Sequence, residues 1–138
     1  MDKVQLAVEN FAKKKYNCTQ AVVCAFCEDF GLSEVDGFRV AEAFGGGMGK
    51  MGGVCGAVTG AYIIMGLANC AADLQNPTKS KMETYADVRE LTRKFEEMNT
   101  SVLCRELKCE KPLRSCPGCV EDAAKLLTEY LEMRKQRQ

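Results

Sequence analysis

Residues Phe44 to Leu67 read FGGGMGKMGGVCGAVTGAYIIMGL, and this stretch decides the fold. Six glycines fall in the nine residues from Gly45 to Gly53, followed by Val54, Cys55 and an uncharged run rich in Ala, Gly and Ile. Glycine clusters let a backbone turn tightly or approach a neighbour closely, at an entropic cost recovered elsewhere in the fold. The pattern predicts a glycine loop that feeds a buried helix from about Val54 to Leu67, with Cys55 just inside it. Gly52, Gly56 and Gly60 recur at the small-xxx-small spacing that brings helices close. The strongly apolar part, Val54 to Ala68, is too short to span a bilayer comfortably, so a core helix is expected rather than a membrane span.

On either side of this stretch the apolar positions recur with helical period. Val4, Ala7, Val8, Phe11 and Ala12 mark one face of a first helix. Asn17 is a candidate N-cap for a second, from Cys18 to about Phe30, apolar nearly all round and therefore buried. Gly31 suits its end, and Ser33-x-x-Asp36 opens a third, from about Val35 to Phe44. Ser80-x-x-Glu83 resembles a capping box for a long helix from about Lys79 to Met98, with Met82, Tyr85, Val88, Leu91, Phe95 and Met98 on its core face. A short helical segment is expected over Ser101 to Leu107. Ser115 caps the last helix, whose buried face is Val120, Ala123, Ala124, Leu127 and Leu131. No segment alternates with period two. The chain reads as all-α, a single domain over residues 1–138 with six to seven helices.

Composition narrows the chemistry. Lys plus Arg and Asp plus Glu both number 19, which leaves no net charge to attract nucleic acid or an anionic membrane. There is no histidine. That excludes Ser-His-Asp and Cys-His catalysis, His-ligated metals, and c-type haem attachment through C-x-x-C-H. No matched acid-base pair or activated serine can be placed, so a hydrolase or transferase is not expected. Nine cysteines is a high and odd number. The start, MDKVQLAVENFAKKK, is a charged amphipathic pattern rather than a secretory signal, so a cytoplasmic protein is expected. In a reducing compartment clustered cysteines serve metal binding, catalysis or redox sensing more often than structural disulfides.

A helix N-terminus favours the thiolate, the reactive and metal-binding form of cysteine. Cys18 follows the Asn17 cap, Cys116 follows Ser115, and Cys55 borders the glycine loop, so all three are candidates for thiolate chemistry. Cys24 and Cys27 share one face of a helix interior, where core packing is the favoured reading. Cys116 and Cys119 form CPGC at a helix start, closer to a redox or metal-ligand spacing. The two C-x-x-C pairs are too far apart for a ribbon-type zinc site. Cys70 and Cys109 have no supporting context. Gly47-x-Gly49-x-x-Gly52 lacks the strand of a dinucleotide-binding unit, and Gly49-Lys50 is followed by Met51 rather than Ser or Thr, so neither phosphate motif holds.

Four pieces together resemble a known family: Tyr16-Asn-Cys18-Thr-Gln20, Gly52-Gly-Val-Cys55-Gly-Ala-Val-Thr-Gly60-Ala61, Cys104-Arg-Glu-Leu107 and Cys116-Pro-x-x-Val120-x-x-Ala-Ala124. They resemble the C_GCAxxG_C_C proteins, to which redox activity is ascribed, over about Phe11 to Leu131. The resemblance implies four shared cysteines, here Cys18, Cys55, Cys104 and Cys116, with Cys119, Cys24 and Cys27 secondary and Gly52, Gly53, Gly56 and Gly60 supporting. It also implies a prokaryotic source, often an anaerobe, and genes close to those of transporters. Related domains occur in split-Soret-type cytochromes, but without His or C-x-x-C-H no haem function transfers. Three functions stay open. The four thiolates bind an iron-sulfur cluster, ahead of zinc; or pairs of cysteines exchange disulfides with a redox partner; or the chain is a helical accessory module, a homodimer, acting with a membrane transporter.

Overall fold

The computed structural model describes residues 2–137, and among them the fold is all-α with seven helices and no strand. Helix α1 spans Lys3–Ala12, α2 Cys18–Phe26, α3 Glu34–Ala41, α4 Gly56–Asn69, α5 Lys81–Asn99, α6 Cys104–Leu107 and α7 Cys116–Arg137. The local signals explain most starts. Asp2 and Gln5 cap α1 reciprocally, and Asn17 with Gln20 does the same for α2, the Gln20 N–H donating to Asn17 Oδ1 at 2.8 Å. Ser33 Oγ accepts the Asp36 N–H at 3.1 Å, and Ser115 Oγ accepts the Gly118 N–H at 3.1 Å.

Several boundaries differ from the sequence reading. The second helix tightens into a 3-10 turn at Cys27–Phe30, closed by Gly31 at φ +82, and the third does so at Glu42–Phe44. Cys55 is the N-cap of α4 rather than a residue inside it. Ser80 makes no side-chain cap; its hydroxyl instead accepts the Ala71 N–H at 2.9 Å and ties the preceding loop. On α5 only Leu91 and Phe95 of the predicted stripe are fully buried, while Met82, Tyr85 and Met98 are at least half exposed. A helix at the rim touches the core along a narrower seam than its apolar residues suggest.

Helices α2 and α4 form the centre. Every residue of α2 from Thr19 to Phe26 is buried, as are Gly56 to Ala61, Ile64 and Met65 of α4. Helix α7 covers them with Val120, Ala123, Ala124 and Leu127, α1 lies along α2 and α7, and α5 closes the far side. A polar latch joins α5 to α7: buried Asp87 accepts the Tyr130 hydroxyl at 2.7 Å and the Arg137 guanidinium at 3.1 and 3.2 Å. No helix among the described residues is long and apolar enough to cross a membrane.

The two central helices approach at Gly60, where an added Cβ would lie 3.0 Å from the Thr19 carbonyl oxygen and 3.0 Å from Val22 Cβ. Gly60→Ala is expected to force α2 and α4 apart and to lower stability by about 1–3 kcal/mol, read from urea unfolding. Burial opposes ionisation of Asp87, yet Arg137 and Tyr130 hold its pKa below the usual carboxylate value. The latch therefore contributes above the unfolded carboxylate pKa and is lost as pH falls through the lower native one. Asp87→Asn should flatten this acid dependence of the melting temperature; an unchanged profile would show that the latch carries no stability.

Candidate thiol centre

The glycine loop does not end in solvent; it docks on the segment before α6. Cys55 N–H donates to the Val102 carbonyl at 2.7 Å, Cys104 N–H to Gly53 at 2.6 Å, and Arg105 N–H to Gly52 at 3.2 Å. This isolated antiparallel bridge, Val54 with Leu103, sets Cys55 beside Cys104 although 49 residues separate them. On its other side Cys55 meets α2 through Gly56. A Cβ there would fall 2.3 Å from Cys18 Sγ and 2.6 Å from Thr19 Oγ1, so only glycine leaves room for that sulfur.

The result is one cavity of about 280 Å³ with almost wholly apolar and sulfur walls. Cys18, Cys55, Cys104, Cys116 and Cys119 all line it, with Phe11 and Lys108. Each of the first four stands at a helix start: Cys18, Cys104 and Cys116 are the first residues of α2, α6 and α7, and Cys55 caps α4. Cys24 and Cys27 lie elsewhere in the core, each thiol donating to a backbone carbonyl, of Glu34 and Ser33 respectively, at 3.6 Å. Cys70 and Cys109 are exposed and outside the cavity.

Helix N-termini were expected to favour thiolates, but burial outweighs them at two of these positions. Cys18 is pushed up, chiefly by loss of water and further by Cys55 and Cys116, while the Gly46 N–H and the Thr19 hydroxyl pull it back. Thr19 is fully buried, and its hydroxyl has no oxygen or nitrogen partner. Cys104 is also raised by burial and by Cys55 and Cys18, with Lys108 opposing. Sulfurs sharing a largely apolar cavity cannot all carry charge unless something compensates it.

Cys119, a secondary candidate in the sequence reading, also lines the cavity and behaves differently. It is 1% exposed, one turn into α7, and lines the cavity together with Cys55, which is 4% exposed. The neighbouring Cys55 thiol is the chief influence holding the Cys119 pKa below the ordinary thiol value, with help from Lys108 and against burial, while Cys119 and burial together hold Cys55 above it. The Ala57 and Val58 N–H groups at the start of α4 oppose the rise at Cys55, although its side chain makes no capping hydrogen bond. The signal for Cys119 was present in CPGC, but its partner lies 64 positions away, out of reach of any local pattern. Among the described residues, no three cysteine, aspartate or glutamate side chains are gathered closely enough to hold one metal ion. Five cysteines surround the cavity.

Fold and site together define an all-α protein whose helix starts bring cysteines to the wall of a single cavity. Residues 16–130 match the family model described as "Putative redox-active protein (C_GCAxxG_C_C)", and the chain belongs to that family. It is also similar to an uncharacterised protein of Archaeoglobus fulgidus, 28% identical over 131 residues, covering 86% of this chain and 87% of that one. No solved structure matches it.

Burial predicts an order of thiol reactivity. In the native protein, iodoacetamide should label Cys70 and Cys109 first, then Cys18, Cys104 and Cys116, and reach Cys24, Cys27, Cys55 and Cys119 only on unfolding, as read by peptide mass spectrometry. Early labelling of Cys55 or Cys119 would contradict their burial.

Proposed function

We propose that this protein is a two-electron thiol redox carrier whose working pair is Cys55 and Cys119. The observation that carries this reading is that both cysteines are buried on the wall of one cavity, at the starts of α4 and α7, with each thiol the chief influence on the other's ionisation. Oxidation joins the two sulfurs and releases two electrons and two protons; reduction reverses it. The lowered first ionisation at Cys119 supplies the nucleophile, and a cytoplasmic setting keeps the pair reduced until a partner oxidises it. In glutathione buffers of graded potential, a Cys55–Cys119 disulfide is expected by mass spectrometry, and Cys55→Ser and Cys119→Ser should each abolish it. A free-thiol count constant across those buffers would overturn the reading.

A second reading rests on a different observation, the four helix-start cysteines around one cavity. Cys18, Cys55, Cys104 and Cys116 supply the soft thiolate set of an iron-sulfur cluster, ahead of zinc, and such a cluster would supply one-electron transfer. The donor chemistry fits, although no three donors are gathered at one point. Iron and acid-labile sulfide in anaerobically purified protein, both diminished by Cys18→Ser, are expected on this reading; colourless, metal-free protein unaffected by that change would remove it.

A further inference from the structure

Cys119 is 1% and Cys55 4% exposed, so a disulfide on another molecule has no direct access to the proposed working pair. An exchange reaction needs in-line attack of one sulfur on another, which requires a thiol at the surface that also reaches the pair. Three partly exposed cysteines line the cavity: Cys18, Cys104 and Cys116. The first two each pack against a glycine of the loop or of α4. Cys18 Sγ is held against Gly56, and Cys104 Cβ lies 2.8 Å from where a Cβ on Gly47 would stand. Cys116 opens the same helical turn that carries Cys119, a turn already formed by the Cys119 N–H to the Ser115 carbonyl at 2.9 Å. Positions i and i+3 of a helix put Cα atoms about 5 Å apart, inside the span of about 4.4–6.8 Å that a disulfide bridges.

We infer that Cys116 is the receiving thiol of a relay, and that the substrate class is a disulfide carried by a small thiol or a protein. This rests on the two-thiol reading of Cys55 and Cys119. Cys116 thiolate attacks one substrate sulfur, forming a mixed disulfide and releasing the first substrate thiolate. Cys119 thiolate attacks the Cys116 sulfur, forming Cys116–Cys119 and releasing the second. Cys55 thiolate then attacks the Cys119 sulfur, leaving Cys55–Cys119 oxidised and Cys116 free. The substrate disulfide is reduced to two thiols, the two electrons come from Cys55 and Cys119, and their two protons go to the departing thiolates.

The test uses oxidised glutathione, which must dock at the surface, and diamide, a small oxidant. In Cys119→Ser protein, glutathione should be trapped as a mixed disulfide on Cys116. Cys116→Ser should slow oxidation by glutathione disulfide at least about tenfold, consistent with loss of the attacking thiol, and still yield Cys55–Cys119 with diamide. Trapping on Cys18 or Cys104, or a wild-type rate in Cys116→Ser, would overturn the relay while leaving the working pair intact. Absence of the Cys55–Cys119 disulfide from wild-type protein under both oxidants would overturn the pair and the relay together.

Discussion

Three backbone hydrogen bonds between residues 52–55 and 102–105 hold the site together. They join the end of the glycine loop to the segment that starts α6, and neither strip has another element to pair with. Buried backbone groups must find partners, so the loop cannot swing away without orphaning donors and acceptors on both sides. The position of Cys55 follows from this bridge, as does that of Cys104. Because Cys55 caps α4, the same bridge also sets where the central helix begins and hence how its glycines meet α2.

The cavity is a compromise between two electrostatic effects. Helix starts project N–H groups that favour negative charge on a nearby sulfur. Removal from water disfavours that charge, and each additional sulfur adds to the repulsion. At Cys18 and Cys104 the second effect wins, and both thiols are held above their ordinary pKa. At the Cys55 and Cys119 pair the two thiols are shifted in opposite directions, each chiefly by the other, Cys119 down and Cys55 up. Lys108, on the cavity wall, adds positive charge that favours ionisation at Cys119 and Cys104.

Local chemistry made the helices legible. Asn17, Ser33 and Ser115 cap as their side chains suggest, since a capping bond spans only three residues. Ser80 does not, because its hydroxyl has a better partner in Ala71 that no window around it contains. The stripe on α5 was read too wide for a related reason: periodicity shows which residues share a face, but only the neighbouring helices decide how much of that face is covered. Cys104 was legible through family resemblance alone, lacking any local signal of its own, and it does line the cavity.

By itself the sequence determined the all-α class, the helix starts that carry Cys18 and Cys116, and a close approach at Gly56 and Gly60. These follow from propensities, caps and spacings that act over a turn or two of chain. The tertiary structure alone decided that five of nine cysteines share one cavity, Cys119 and Cys55 among them. It alone decided, too, that burial would override the helix N-termini at Cys18 and Cys104. Contact and desolvation depend on which distant segments come together, and no residue carries that information in its immediate neighbours.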